Sequence, residues 1–115
     1  MSSLIKIKSE FDLSQDKLEQ ILKNLSENLA KRVTSAYIFG SAARNDFSRN
    51  SDIDLILICE TTEPFIVRPK AFSDLFDVYP RLDILVYTPQ EFEAQLQDSS
   101  VGFWKSVRES LKKIV

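Results

Sequence analysis

From Ile53 to Cys59 the chain reads IDLILIC, largely apolar on both faces of an extended strand, and such a strand belongs at the centre of a sheet covered from above and below. That requirement sets the architecture: a sheet layer with helices packed against it. Two other stretches supply its neighbours. Ala36 to Phe39 is a short buried strand that ends at Gly40, and Leu82 to Tyr87 is a third buried strand, interrupted near its start by Asp83.

Helices fill the intervals. Asp12 and Gln15 have capping-box spacing, and Leu18, Ile21, Leu22, Leu25 and Leu29 then recur at helical intervals through Arg32. The opposite face of that helix, with Asp16, Gln20, Lys23, Glu27 and Lys31, is a solvated surface. A second helix is expected from about Pro69 to Val78, with Phe72, Leu75 and Phe76 inward, and Pro80 ends it. Thr88, Pro89 and Glu91 combine an N-cap, a proline at the first helical position and a capping-box acid. The helix they start carries Phe92 and Leu96. Ser99 and Ser100 offer a cap for a last helix with Val101, Trp104, Val107 and Leu111 on one side. The tail KKIV frays or adds a short final strand, and Leu4 to Lys8 alternates as a short edge strand would. The order predicts an α/β (α+β) fold, a small mixed central sheet flanked by helices.

With 115 residues the chain is expected to be one domain, 1–115, burying roughly two-thirds of its unfolded surface. A hydrophobic fraction of 43% and a charged fraction of 28% are those of a soluble globular protein. No apolar run approaches the roughly 20 residues that cross a bilayer. Net charge is −2, the pI is near 5.2, and the basic residues are scattered, so general nucleic-acid binding is not expected. A polyanionic ligand would need metal ions as intermediaries. The N-terminal MSSLIKIKSEFD lacks the apolar run and cleavage site of a secretory signal, and the single Cys59 cannot form an internal disulfide. A cytoplasmic protein with no membrane association is therefore expected. Histidine is absent, which excludes His nucleophile activation, His metal sites and His general bases.

The chemistry is left to carboxylates, hydroxyls, Lys and Arg, and one stretch concentrates them: IFGSAARNDFSRNSDIDLIL, from Ile38 to Leu57. Successive side chains of a strand point to opposite faces, so Asp52 and Asp54 share a face and can converge on one cation. Asp83 is a carboxylate inside an apolar strand, costly unless something stabilises it. If its strand lies beside that of Asp54, three carboxylates about 5 Å apart would repel by roughly 3 kcal/mol per pair at an effective dielectric of about 20. A divalent cation removes that penalty, and oxygen-only ligands favour Mg²⁺ or Mn²⁺ over zinc. Magnesium held by a few carboxylates completes its shell with water and substrate phosphates, which points to nucleotide chemistry. Two such ions can activate an attacking oxygen and stabilise a leaving pyrophosphate, with Asp83 the natural acceptor of the incoming hydroxyl's proton. Gly40 allows an unusual backbone angle or the close approach of another group. The helical turn from Ser41 to Arg44 offers amides, a hydroxyl and a guanidinium to phosphate oxygens.

Gly40-Ser41, ten residues, Asp52-Ile53-Asp54 and the later Asp83 together resemble the nucleotidyltransferase fold shared with DNA polymerase β. More closely, the chain is similar to the minimal nucleotidyltransferases, the MntA-like antitoxins paired with HEPN-domain proteins, over nearly its whole length. The resemblance implies that Asp52, Asp54 and Asp83 bind the metals and that Gly40 and Ser41 contact nucleotide phosphates. Where many members read Ala-Arg-Gly, this chain has Ala43-Arg44-Asn45, and Asn tolerates left-handed backbone angles.

The resulting expectation is an enzyme that transfers AMP from Mg-ATP to a hydroxyl. Larger nucleotidyltransferases add a helical domain, so the acceptor site here is expected to be completed by another polypeptide in a hetero-oligomer. The resemblance implies a tyrosine of a HEPN ribonuclease toxin as acceptor, in a type VII-like toxin-antitoxin pair. Two competing readings are a regulatory subunit that neutralises its partner by contact alone and transfer to a small molecule such as an aminoglycoside. The three aspartates weigh against the first, since a pure scaffold gains nothing from clustered buried charge.

Overall fold

A computed structural model describes residues 17–44, 52–98, 100 and 102–115. The expected strand from Leu4 to Lys8, the caps at Asp12, Gln15 and Ser99, the helix positions Asp16 and Val101, and the loop from Asn45 to Ser51 lie outside the described residues. Helix α1 covers 17–29 and sends Leu18, Ile21, Leu25 and Leu29 inward, the spacing its sequence carries. Strands β1 (Ser35–Phe39), β2 (Ile53–Ile58) and β3 (Leu82–Tyr87) follow, then helices α2 (Pro89–Gln97) and α3 (Gly102–Ser110) and a two-residue strand β4 (Lys112–Lys113).

The sheet has the order β3-β2-β1-β4, with β2 antiparallel to β1, parallel to β3, and β4 antiparallel to β1. It is the mixed, helix-flanked α/β arrangement expected, and IDLILI lies inside it as predicted. Alternation splits the core in two. Ala36, Ile38, Ile53, Leu55, Leu57, Ile84 and Val86 face α1 together with Phe72 and Leu75. Phe39, Ile56 and Ile58 face Phe92 of α2 and Val107 of α3 on the other side. The tail forms the short strand that its sequence permitted, and two lysines there blunt the sheet edge against further pairing.

Local chemistry accounts for the best-read element. Thr88 accepts the Glu91 amide at 3.2 Å while the Glu91 carboxylate accepts the Thr88 amide at 2.9 Å, the reciprocal capping box. The segment expected to be an α-helix from Pro69 to Val78 differs. It is a 3-10 segment, Phe65–Asp77, broken by the non-helical Phe72 (φ −116°, ψ 18°) and containing Pro69, which has no amide to donate. At three residues per turn Phe72, Leu75 and Val78 line one side, so Phe76 falls outside it and is 41% exposed. Arg32 lies beyond α1 and staples that segment in place. Its guanidinium donates to both Asp74 carboxylate oxygens, at 2.8 and 3.0 Å, and to the Ala71 carbonyl at 2.8 Å.

Arg68 makes a second staple. Only 9% of its side chain is exposed, and it donates to the carbonyls of Glu63 and Val86 and to both carboxylate oxygens of Glu91. The connection after β2 is thereby tied to β3 and to the start of α2. Cys59 is a free, half-buried thiol beside the core, with burial pushing its pKa up. Among the described residues no helix is long and apolar enough to cross a membrane.

Candidate active site

The site forms where β1 ends and β2 and β3 begin. Parallel pairing of β2 with β3 sets Asp54 directly beside Asp83, and antiparallel pairing of β2 with β1 sets Asp54 beside Phe39, the residue before Gly40. Asp52 precedes Asp54 by two positions and shares its face, the side of the sheet that carries α2 and α3. Asp54 is half-buried, whereas Asp52 and Asp83 are exposed.

Gly40 has φ +72°, a conformation that side chains rarely adopt. A Cβ there would also lie 2.6 Å from Asp54 Oδ2. Both properties that the sequence allowed for this glycine are therefore used together, and the approaching group is the candidate catalytic carboxylate. Beyond it a 3-10 turn, Gly40–Ala42, closes with the Ala43 and Arg44 amides donating to the Gly40 carbonyl, each at 3.1 Å. The Gly40 amide itself donates to Ser110 Oγ at 3.0 Å. That bond ties the start of the turn to the end of α3.

The electrostatics follow from this crowding. Burial raises the Asp54 pKa above its ordinary 3.8, and the negative charges of Asp83 and Asp52 and a hydrogen bond with Asp83 raise it further; the positive charge of Arg44 opposes them. Asp52 is held differently, its Oδ1 accepting from Arg81 Nε at 3.1 Å, with both side chains about half exposed. Arg81 lies two residues before Asp83 and was not singled out in the sequence.

Gly40, Asp54 and Asp83 thus stand together, Ser41 is in the turn, Arg44 acts on Asp54 through its charge, and Asp52 is engaged by Arg81. Among the described residues no three His, Cys, Asp or Glu side chains are clustered as a metal cage. The donor set nonetheless fits a hard divalent cation. Its atoms are carboxylate oxygens, and a cation would offset both the burial of the Asp54 charge and its repulsion from Asp83 and Asp52. Trp104, in contrast, packs its ring against Tyr87, Phe92 and Phe103 and belongs to the core.

Residues 16–107 match the family described as polymerase beta, nucleotidyltransferase. No curated protein matches the sequence. Two solved structures share the fold. One is a candidate nucleotidyltransferase from Sulfolobus solfataricus, with TM-score 0.55 and 24% identity, covering 70% of this chain and 78% of that one. The other is a chain of a toxin-antitoxin structure with AMP-PNP, with TM-score 0.50 and 20% identity, covering 90% of this chain and 73% of that one.

Proposed function

Because this chain belongs to the polymerase beta nucleotidyltransferase family, we propose that it transfers AMP from Mg-ATP to a hydroxyl group. The acceptor in this proposal is a tyrosine of a HEPN-domain ribonuclease toxin, and the modification silences that partner. The likeness of the fold to a toxin-antitoxin chain solved with AMP-PNP supports both the choice of nucleotide and the existence of a partner.

The observation that carries the reading is the placement of Asp54 beside Asp83 and against the side-chain-free face of Gly40. Acidic residues gathered at that cost are explained by a positively charged ligand. Asp54, Asp83 and Asp52, once released from Arg81, would hold magnesium, which when bound neutralises the triphosphate and the developing charge on the leaving group. The turn from Gly40 to Arg44 binds and orients the phosphates through the Ser41 hydroxyl and the Arg44 guanidinium. The acceptor oxygen bonds to the α-phosphorus as the bond to the bridging oxygen breaks, pyrophosphate leaves with that electron pair, and Asp83 takes the acceptor's proton.

Incubation with α-labelled ATP and Mg²⁺, with and without the HEPN partner, tests this directly. Label should appear on the partner and be lost with Asp52→Asn or Asp54→Asn while the complex still forms. If both variants leave the partner unlabelled yet fully neutralised, contact alone is the mechanism. Label on an aminoglycoside and none on protein would move the acceptor to small molecules.

A further inference from the structure

We infer that Ser110, the last residue of α3, is a positioning residue for the turn that this proposal assigns to the nucleotide phosphates. The inference rests on that assignment. Ser110 Oγ accepts the Gly40 amide at 3.0 Å across 70 residues of sequence and donates its own proton to the Ser106 carbonyl at 3.1 Å. With the proton committed to the helix, a lone pair of the hydroxyl is left aimed at Gly40.

The amide it holds is the pivot of the site. Phe39 is extended (φ −145°, ψ 178°) and Gly40 is left-handed (φ +72°), so the chain changes direction at the peptide between them. The Gly40 carbonyl, on the far side, accepts the Ala43 and Arg44 amides. Rotation at Gly40 therefore moves Ser41 and Arg44 together, and it also moves the backbone on which Asp54 Oδ2 rests. The segment carrying Ser110 is anchored at both ends. Phe103, near the start of α3, meets the Phe39 ring edge-on with centroids 5.8 Å apart, and Lys112, just past its end, pairs with Ile38 of β1. The α3–β4 segment thus grips β1 by ring contact and strand pairing, and the Ser110 hydroxyl extends that grip to the turn.

The test is the affinity of the full chain for AMP-PNP with Mg²⁺, measured by calorimetry beside the melting temperature. Ser110→Ala should weaken binding about two- to tenfold, the worth of one neutral hydrogen bond, and Ser110→Thr, which keeps the hydroxyl, should restore it. Exchange of the Gly40 amide with solvent should quicken in Ser110→Ala. If Ser110→Ala fails to fold, Ser110→Cys, which keeps the volume with a poor acceptor, should show the same loss of affinity, about two- to tenfold. A lower melting temperature with unchanged AMP-PNP affinity would reduce Ser110 to a structural residue and overturn the inference alone. Wild-type protein that fails to bind AMP-PNP, or binds it no better than Asp54→Asn, would remove the nucleotide reading and the inference with it.

Discussion

If Asp54 is held in place against its own electrostatic preference, replacing it by asparagine should make the protein more stable. Asp54 is half-buried, neighbours Asp83 in the parallel register, and lies within reach of the Asp52 charge. Two unit charges about 5 Å apart repel by roughly 1 kcal/mol in a water-like medium and roughly 3 kcal/mol at an effective dielectric of 20. Because Asp83 is exposed and Arg44 offsets part of the field, the lower end applies, and Asp54→Asn should gain about 1 kcal/mol at pH 7. For a domain of this size that is a rise of about 4 °C in melting temperature. Asparagine keeps the shape that fits against Gly40 and can donate an amide proton to Asp83. The pH dependence fixes the cause. A carboxyl whose folded-state pKa lies above its ordinary 3.8 destabilises the fold above the raised value and ceases to do so as pH falls below 3.8. The advantage of Asp54→Asn should therefore be full at neutral pH and shrink towards nothing on acidification. Urea titrations of both proteins, metal-free and followed by Trp104 fluorescence, measure it. A variant less stable than wild type at pH 7, or a gain that does not change with pH, would refute the argument. Added Mg²⁺ should stabilise wild type and leave Asp54→Asn nearly unmoved.

Gly40→Ala should lose roughly 1–2 kcal/mol from its left-handed backbone alone, and its Cβ must also displace the Asp54 carboxylate, so transfer activity should fall further than the unfolded fraction explains. In an Asp54→Ala background the clash is gone, and the urea-measured cost of Gly40→Ala should shrink to the backbone part. Glu91 is held down to about 2 from an ordinary 4.5, first by its hydrogen bonds to Arg68 and then by the Thr88 amide. Its depressed pKa means that this stabilisation is present above pH 4.5 and is lost as pH falls to about 2. Acid titrations should show Glu91→Gln losing less stability than wild type across that window; parallel curves would remove Glu91 from the acid transition.

What could be read from the sequence, and what could not, divides by the range of the interactions concerned. The capping box at Thr88 and Glu91 involves neighbours in the chain, so its residues announce it. The inward leucines of α1 and the two-sided apolar run of β2 are also local, because burial imposes a period that composition displays. The 3-10 segment defeated the same reasoning. Phe72, Leu75 and Phe76 fit a period of 3.6, but Pro69 and the break at Phe72 impose a period of three, and the side chain that only the wider period would bury is left outside. Ser110 and Arg81 carried no signal of their own. A serine near a helix end and an arginine before a strand are ordinary surface residues until the fold brings Gly40 and Asp52 to them.

The glycine shows where local pattern and tertiary contact meet. Gly40-Ser41 and Asp52-Ile53-Asp54 read as two motifs with a spacer, each weak by itself. In the fold they form a single contact, because antiparallel pairing sets Phe39 opposite Asp54 and so delivers the Asp54 carboxylate to the space a Cβ at position 40 would fill. The spacer matters because it must return the chain into that register, and a one-residue slip would turn Asp54 towards the α1 side. The glycine is then required by the aspartate as much as by its own backbone angle. It follows that Asp54→Glu should not be conservative: the longer side chain keeps the charge but must direct it past the same backbone. Its effect on nucleotide transfer should approach that of Asp54→Asn.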